Sequence, residues 1–393
     1  MDFHSVELFA GAGGLALGMA KAGFRHELVA EWERNACNTI RDNINKNHQL
    51  MHKWNVFEGD VRQIDYSKVS NKISLISGGP PCQPFSFGGK HRGNDDKRDM
   101  FPEAVRAVRE LKPKAFIFEN VKGLLRESFS SYLSYILLQL THPEIVRKPN
   151  EAWEEHLRKL ELYHTGNGEF GLCYRVVHQC LNAADYGTPQ KRERVIFVGF
   201  RSDLDISWSF PEHTHSQEAL LMDQWITGEY WERHKILKEK RPEVPKNLMN
   251  IINNIKYSLF KPEGNAWKTV RDAISDLPEP KKMGDSYFMN HEFRGGARIY
   301  DGHTGSCLDE PSKALKAGVH GVPGGENMVA YENGEVRYFT VRESARLQTF
   351  PDDYIFKGSW TETMRQLGNA VPVDLAYIIG KSVKKQLEKA EQI

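Results

Sequence analysis

The sequence lacks three features that often assign a protein to a class at once. Its five cysteines form no Cys-x-x-Cys pair. The most apolar stretch near a predicted helix, residues 135–138 (Tyr-Ile-Leu-Leu), is far too short to cross a bilayer. The formal net charge is only +1, from 53 Lys and Arg against 52 Asp and Glu. This balance excludes binding to a polyanion through bulk charge, but it leaves room for a local basic cleft.

The cysteine count is odd, and the first residues (Met-Asp-Phe-His-Ser) show no signal-peptide pattern. We therefore expect free thiols in a reducing cytoplasm, and no membrane association. A chain of 393 residues with 40% hydrophobic residues can bury a core without disulfides or metals. This length predicts two or three domain-sized units, or one large domain with an insertion.

Short apolar runs alternate with helical patterns over the first two hundred residues. The predicted strands cover residues 5–10, 27–30, 73–77, 115–118 and 195–199. Apolar strands separated by helices imply an α/β fold, in which a parallel sheet is covered by helices on both faces.

The composition changes after about residue 200. Residues 201–340 hold 18 Lys and Arg against 21 Asp and Glu, with few strand-like runs, and the remainder holds 35 against 31. A helical pattern resumes near residue 340 and continues to the end. The sequence therefore predicts a sheet domain, an irregular insert, and a C-terminal return to the sheet domain.

A glycine-rich turn (Phe-Ala-Gly-Ala-Gly-Gly, residues 9–14) follows the first predicted strand. Glycines there allow positive φ and let a ligand approach the backbone closely. Glu31 ends the second predicted strand about 20 residues later, where an acid typically meets ribose hydroxyls. Asp60 ends the expected third strand, and Trp32 offers a ring for stacking on adenine. Together they predict a site for an adenosine-containing ligand, with a dinucleotide still possible.

Cys82 lies in an unusual place for a packing thiol. Two prolines stiffen the chain just before it, and glycines follow in a loop from about residue 83 to 99. Glu119 ends another predicted strand, so it points to the same rim of the sheet as Cys82. Residues 190–194 (Gln-Lys-Arg-Glu-Arg) precede a further strand. If that segment is extended, Arg192 and Arg194 share a face and suit an anionic or carbonyl-bearing substrate.

The combination of these motifs resembles the DNA (cytosine-5)-methyltransferase family of bacterial restriction-modification systems. The resemblance rests on residues 9–14, on Pro-Pro-Cys-Gln-Pro-Phe-Ser (80–86), on Glu-Asn-Val (119–121) and on Gln-Lys-Arg-Glu-Arg. Residues 342–351 (Arg-Glu-Ser-Ala-Arg-Leu-Gln-Thr-Phe-Pro) and 366–372 (Gln-Leu-Gly-Asn-Ala-Val-Pro) are also similar to that family. The motifs occur in the family's order and span nearly the whole chain.

The resemblance implies a Rossmann-like methyltransferase sheet that transfers a methyl group from S-adenosylmethionine to carbon 5 of a flipped-out cytosine. Cys82 would add to carbon 6 and so activate carbon 5. Glu119 would assist at ring nitrogen 3. Arg192 and Arg194 would hold the base carbonyl and organise Cys82 and Glu119.

The resemblance also implies a set of cofactor contacts. S-adenosyl-L-methionine would bind, and S-adenosyl-L-homocysteine would leave, without a metal. The implied contacts are Phe9, Gly11, Gly14, Leu15, Glu31, Trp32, Asp60, Val61, Asn369 and Val371.

The resemblance divides the chain into a catalytic domain (1–200), a smaller irregular target-recognition domain (201–335) and a segment that completes the catalytic domain (336–393). The loop at 83–99 would act as a lid. Residues 230–241 interleave aromatic and basic side chains, and residues 321–327 form a candidate groove-facing loop. Relatives usually carry Thr-Leu near the end of this domain, where this chain has Ala314 and Leu315.

The implied partner is double-stranded DNA, bound by a monomer in the bacterial cytoplasm or nucleoid, alongside a cognate restriction endonuclease. Three alternatives remain. A dehydrogenase would leave Cys82, Glu119 and Arg192 without a role. A transfer-RNA cytosine-5 methyltransferase of the same family would share the motifs, although its Cys-Phe-Thr signature is absent. A non-catalytic DNA-binding module would not need Cys82.

Overall fold

Seven strands form the main sheet of the computed structural model, which describes residues 2–69, 72–81, 99–166, 171–282, 287–318 and 325–392. These strands are β1 (Phe3–Leu8), β2 (Phe24–Glu31), β3 (Val56–Glu58), β4 (Ile73–Gly78), β5 (Ala115–Val121), β6 (Tyr174–Asn182) and β8 (Glu193–Arg201). Seven short strands lie outside the sheet: β7 (Gln190–Lys191), β9 (His215–Ser216), β10 (Asn265–Ala266), β11 (Ser306–Cys307), β12 (Ser312–Lys313), β13 (Met328–Ala330) and β14 (Val336–Tyr338).

The α-helices described are α1 (Gly14–Lys21), α2 (Arg34–Asn45), α3 (Phe101–Leu111), α4 (Ser130–Thr141), α5 (Trp153–Thr165), α6 (Gln217–Met222), α7 (Glu229–Arg233), α8 (Met249–Tyr257), α9 (Val270–Ile274), α10 (Val341–Leu347), α11 (Trp360–Asn369) and α12 (Val373–Ala390). In this part of the chain, no helix is both long enough and apolar enough to span a membrane.

The sheet order is β3-β2-β1-β4-β5-β8-β6. The pairs from β3 to β5 are all parallel, as the alternation of strands and helices predicts. Strand β8 departs from this pattern because it pairs with β5 antiparallel. An antiparallel strand near the edge of an otherwise parallel sheet is common in doubly wound folds.

Helices cover both faces of the sheet, which confirms the predicted fold class. Val6 and Leu8 of β1 pack into a large apolar core with side chains of α3 and α4. The alternate residues Ser5 and Glu7 are equally buried and point to the opposite face. On that face, α1 and α12 approach so closely at Gly18 that a Cβ there would lie 2.3 Å from the Cβ of Ala376.

The chain divides into two compact units. Unit 1 comprises Met1–Leu181, Glu193–Pro211 and Asp353–Ile393, and unit 2 comprises Asn182–Arg192 and Glu212–Asp352. These limits differ from the predicted domain limits, because residues 182–192 and 336–352 fall in unit 2 and residues 201–211 in unit 1. The roles given to the predicted domains stay predictions.

Unit 2 is built from short elements around small apolar cores. Tyr230 and Trp231 are almost completely buried in one of them. Arg233 forms an ion pair with Asp223 (3.1 Å), and the ring of His234 lies 2.8 Å from Asp272. The aromatic members of the 230–241 stretch, Tyr230 and Trp231, are therefore core residues, and neither ring is available to stack on a base.

Glu7 is a fully buried acid in the centre of the sheet. Its Oε2 accepts a hydrogen bond from the hydroxyl of Ser77 on β4, whereas its Oε1 has no hydrogen-bond partner among the described residues. Burial raises the pKa of Glu7 to about 8. At neutral pH the carboxyl group is therefore protonated in the folded chain and ionised in the unfolded chain.

We predict that Glu7→Gln flattens the pH dependence of stability. The unfolded state loses this proton near pH 4.5 and the folded state near pH 8, so wild-type stability falls as the pH rises between those values. The neutral amide cannot ionise, so the variant should lose less stability than the wild type over this window. Urea unfolding at pH 5, 6.5 and 8 measures the difference. Glu155→Gln, at an exposed carboxyl on α5, should follow the wild type; identical slopes for all three proteins would contradict the assignment.

Candidate active site

The carboxyl ends of β1 and β2 carry the glycine turn and the acid predicted to face it. Phe9 and Gly11 have φ of +55° and +54°, and Gly13 has +85°, so the turn uses the left-handed region three times. Oε2 of Glu31 accepts a hydrogen bond from the backbone N–H of Gly11 at 2.7 Å. The structure therefore brings the predicted ribose acid directly to the predicted turn.

Glu31 is buried and tightly held. Its Oε1 accepts hydrogen bonds from the backbone N–H groups of Trp32 (2.9 Å) and Glu33 (2.8 Å). Burial raises the pKa of Glu31, and the three N–H donors oppose that rise. Because three backbone donors fix the carboxyl group, it can accept from a ligand hydroxyl without reorienting.

Space for a ligand remains beside the turn. A Cβ added at Gly11 would meet no atom within 4 Å. The side chain of Trp32 is 77% exposed, so a face of its ring is available for stacking. Gly14 begins α1 and Leu15 is buried in its first turn, and the N-cap Gly13 offers the helix no capping side chain. An adenosine with a hydroxyl-bearing sugar fits these features.

The remaining predicted cofactor residues lie on neighbouring segments. The N–H of Gly59 donates to the carbonyl of Glu31 at 3.0 Å, which places Asp60 next to the end of β2. Asp60 caps the turn that begins at Val61, and the hydrogen bonds from Arg62 lower its pKa. Val61 is buried.

Two further predicted contacts lie between α11 and α12. Asn369 is exposed at the end of α11, and Val371 is buried just before α12. Because α12 packs on α1, the C-terminal segment reaches the helix that starts at the glycine turn. Among the residues that the structure describes, no hydrogen bond joins Asn369 or Val371 to the turn itself.

Tyr354 is a residue that the sequence did not single out. Its buried hydroxyl donates to the carbonyl of Ala12 at 2.6 Å, inside the glycine turn. The turn is thus held at Gly11 by Glu31 and at Ala12 by Tyr354. Tyr354 lies between α10 and α11, where the sequence predicts a continuing helical pattern, so that pattern does not mark its role in the turn.

Glu119 lies at the carboxyl end of β5, as predicted. The residue is 8% exposed, and its Oε1 lies 2.6 Å from Nε of Arg194 on β8. The antiparallel pairing of β5 with β8 produces this ion pair, because it places Val121 opposite Arg194. A Cβ at Gly79 would lie 3.0 Å from Oε2 of Glu119, so the segment that leads to Cys82 passes close to the carboxylate.

Cys82 and residues 83–98, including most of the predicted lid, lie outside the described residues. The chain on either side is well held. The side-chain amide of Asn120 donates to the carbonyl of Pro80 at 3.0 Å, and the N–H of Met100 donates to the carbonyl of Pro81 at 3.0 Å. The two ends of the loop that carries Cys82 are therefore tied together beside Glu119.

Arg192 and Arg194 have different partners. Nη1 of Arg192 donates to the carbonyl of Leu315 at 3.0 Å, and Oε1 of Gln190 accepts from the N–H of the same residue at 3.2 Å. Arg192 is the single residue between β7, which ends at Lys191, and β8, which begins at Glu193. Gln190 and Arg192 hold the backbone of Leu315, whereas Arg194 pairs with Glu119.

None of the described residues form a group of three or more His, Cys, Asp or Glu side chains suited to a metal ion. The described side chains form a buried carboxylate–guanidinium pair, Glu119 and Arg194, next to the backbone that leads to Cys82. The glycine turn and Glu31 lie at the same edge of the sheet, and their geometry fits an adenosine-containing ligand. Such an arrangement suits group transfer to a base or carbonyl compound.

Comparison with known proteins agrees with this arrangement. Residues 3–143 and 156–385 match the family model described as C-5 cytosine-specific DNA methylase. The chain is 34% identical over 398 residues to the type II methyltransferase M.PspPI of Psychrobacter sp. (strain TA137), covering 99% of this chain and 80% of the relative. It is also 34% identical over 392 residues to the type II methyltransferase M.Eco47II of Escherichia coli, covering 98% and 79%.

Among solved structures, the S. pombe Dnmt2 methyltransferase superposes with a TM-score of 0.55 at 17% identity. The match covers 98% of this chain and 99% of that one. At this identity the likeness supports the fold alone.

We predict that Tyr354→Phe weakens binding of S-adenosylmethionine, the expected ligand, by about 3- to 10-fold, because it frees the carbonyl of Ala12 and loosens the turn. Tyr174→Phe is the matched control, since its buried hydroxyl also donates to a backbone carbonyl, that of Pro113 at 2.7 Å, before β5 begins. Both variants should lose similar thermal stability, and calorimetry should show reduced affinity only for Tyr354→Phe. Equal affinities for the two variants would show that Tyr354 has a merely structural role.

Proposed function

This chain belongs to the C-5 cytosine-specific DNA methylase family, and on that premise we propose that it methylates carbon 5 of a flipped-out cytosine in a specific duplex DNA sequence. The observation that carries the proposal is the position of Glu119. It is buried, paired with Arg194, and next to the backbone that leads to Cys82. A base that enters this place would meet an acid and a thiol at once.

The covalent step follows from the weak nucleophilicity of carbon 5 in cytosine. Cys82 as thiolate forms a bond from Sγ to carbon 6, and the ring electrons move toward carbon 5. Glu119 hydrogen-bonds or protonates ring nitrogen 3, which relieves the negative charge of the adduct. After carbon 5 gains the methyl group it loses its proton to a base, and Sγ leaves carbon 6 with its electron pair.

The supporting residues hold these two groups in place. Arg194 fixes the carboxylate of Glu119, while Asn120 and Met100 fix the backbone on either side of the Cys82 loop. Such positioning lowers the entropic cost of bringing the reacting groups together. Arg192 would contact the base carbonyl, and its Nη1 also donates a hydrogen bond to the carbonyl of Leu315.

The residues around the glycine turn fit S-adenosylmethionine, which when bound supplies an electrophilic methyl group. Glu31 would accept from the ribose hydroxyls and Trp32 would stack on the adenine. Asp60 and Val61 would face the edge of the adenine, and Phe9, Gly11, Gly14 and Leu15 would line the turn. Asn369 and Val371 would close the site from the C-terminal segment. The buried, triply hydrogen-bonded carboxyl group of Glu31 and the open space at Gly11 support this assignment.

The proposal extends to the setting of the reaction. Unit 2 would select the DNA sequence. The enzyme would act as a monomer in the bacterial cytoplasm or nucleoid, alongside a cognate restriction endonuclease. The curated relatives are named type II methyltransferases, which supports the pairing with an endonuclease.

We predict that the wild-type chain transfers tritium from labelled S-adenosylmethionine to plasmid DNA and not to total transfer RNA. Cys82→Ala should abolish the transfer, because it removes the Sγ that adds to carbon 6, while its affinity for S-adenosylmethionine stays unchanged by calorimetry. Cys37→Ala, at a buried thiol of α2, is the control and should keep methylating. Label in transfer RNA alone would favour the RNA-modifying alternative, and activity in Cys82→Ala would refute the covalent mechanism.

A further inference from the structure

The segment 246–261, which contains α8, carries a surface with an unusual composition. Residues 244–262 contain no Asp or Glu, although residues 201–340 as a whole hold more acids than bases. Within the segment lie three lysines (Lys246, Lys256 and Lys261) and four asparagines (Asn247, Asn250, Asn253 and Asn254). Positive charge without nearby acids in the sequence indicates a local site for an anionic partner. The net charge of the whole chain does not reveal such a site.

The segment is also poorly buried. Ile252 is the one buried residue of α8, and it faces the rest of unit 2. Beyond the helix, Leu259 is 96% exposed, Phe260 83% and Tyr257 77%. Single exposed apolar side chains are ordinary on a protein surface, but three within four positions form a patch that is typical of an interaction site.

The charges of the segment are available to a partner. None of Lys246, Lys256 and Lys261 forms an ion pair with any residue that the structure describes. Lys256 lies over the ring of Tyr257 at 5.7 Å, and all four asparagines are exposed. Asp223 and Asp272, which line the same cavity as Lys261, are paired with Arg233 at 3.1 Å and 3.7 Å, and neither forms an ion pair with Lys261.

We propose that the segment 246–261 is a surface by which unit 2 binds duplex DNA. This inference rests on the proposed function and adds the element that makes the contact. The lysines pair with phosphates, the asparagines match the adenine edge, and Leu259 and Phe260 contact thymine methyl groups or wedge between bases. A protein partner fits less well, because protein interfaces are depleted in lysine, whereas DNA interfaces are strongly positive.

The test begins with the salt dependence of binding. The probe is a duplex oligonucleotide with the sequence that the wild-type chain methylates, mapped first on plasmid DNA. The triple variant Lys246→Gln, Lys256→Gln and Lys261→Gln should reduce the slope of log affinity against log salt by about three, roughly one for each lost phosphate contact. The control carries the same charge change at Lys381, Lys385 and Lys389, which are exposed on α12, and should keep the wild-type slope. Equal slopes in both triple variants would overturn the proposal.

The apolar contact is tested by Phe260→Ala, which should raise the dissociation constant about 10-fold. The variant should fold normally, because the side chain that it removes is 83% exposed. Leu162→Ala, at a leucine of α5 that is 74% exposed, should not change it. If Phe260→Ala instead alters sedimentation and leaves DNA affinity intact, the surface joins two copies of the chain and the proposal fails. A wild-type chain that methylates no DNA would refute the proposed function itself, a result distinct from these.

Discussion

The candidate site depends on side chains that hold the backbone of loops at the carboxyl edge of the parallel strands. Glu31 accepts from Gly11, Tyr354 donates to Ala12, and Asn120 donates to Pro80. Each bond fixes the backbone of a loop that follows a strand of the sheet. Parallel pairing from β3 to β5 brings these loop ends to one edge, and the side chains then set their positions within it.

Side chains also hold the backbone of a loop by hydrogen bonds in unit 2. Gln190 and Arg192 bind the N–H and carbonyl of Leu315, and the side-chain amide of Asn327 binds the N–H and carbonyl of Lys316 at 3.0 Å and 2.9 Å. The backbone at 315–316 is therefore fixed without any contribution from the side chain at position 314. Alanine in place of the family's usual threonine removes a hydroxyl there, but it does not remove the support of the segment.

The parts of the fold that could be predicted from the sequence are those set by local patterns. Apolar runs in the sequence located β1, β2, β4, β5 and β8, because a buried strand is recognisable from a short continuous run of apolar residues. Glu31 and Glu119 could be placed because they follow such runs. Tyr354 could not, since its role depends on a contact with a residue more than three hundred positions away. The mixed aromatic and basic pattern of residues 230–241 suggested a contact surface. The pattern does not reveal that the rings of Tyr230 and Trp231 face a core.

The central claim is that Cys82 forms a bond to the target base, and a duplex with 5-fluorocytosine at the methylated position tests it most directly. Sγ can leave carbon 6 only after carbon 5 loses a proton, and fluorine cannot leave as a cation. The account predicts a complex of protein and DNA that survives denaturation when S-adenosylmethionine is present, with the base attached to the peptide that carries Cys82 by mass spectrometry. A wild-type chain that methylates the ordinary duplex but forms no such complex would contradict it.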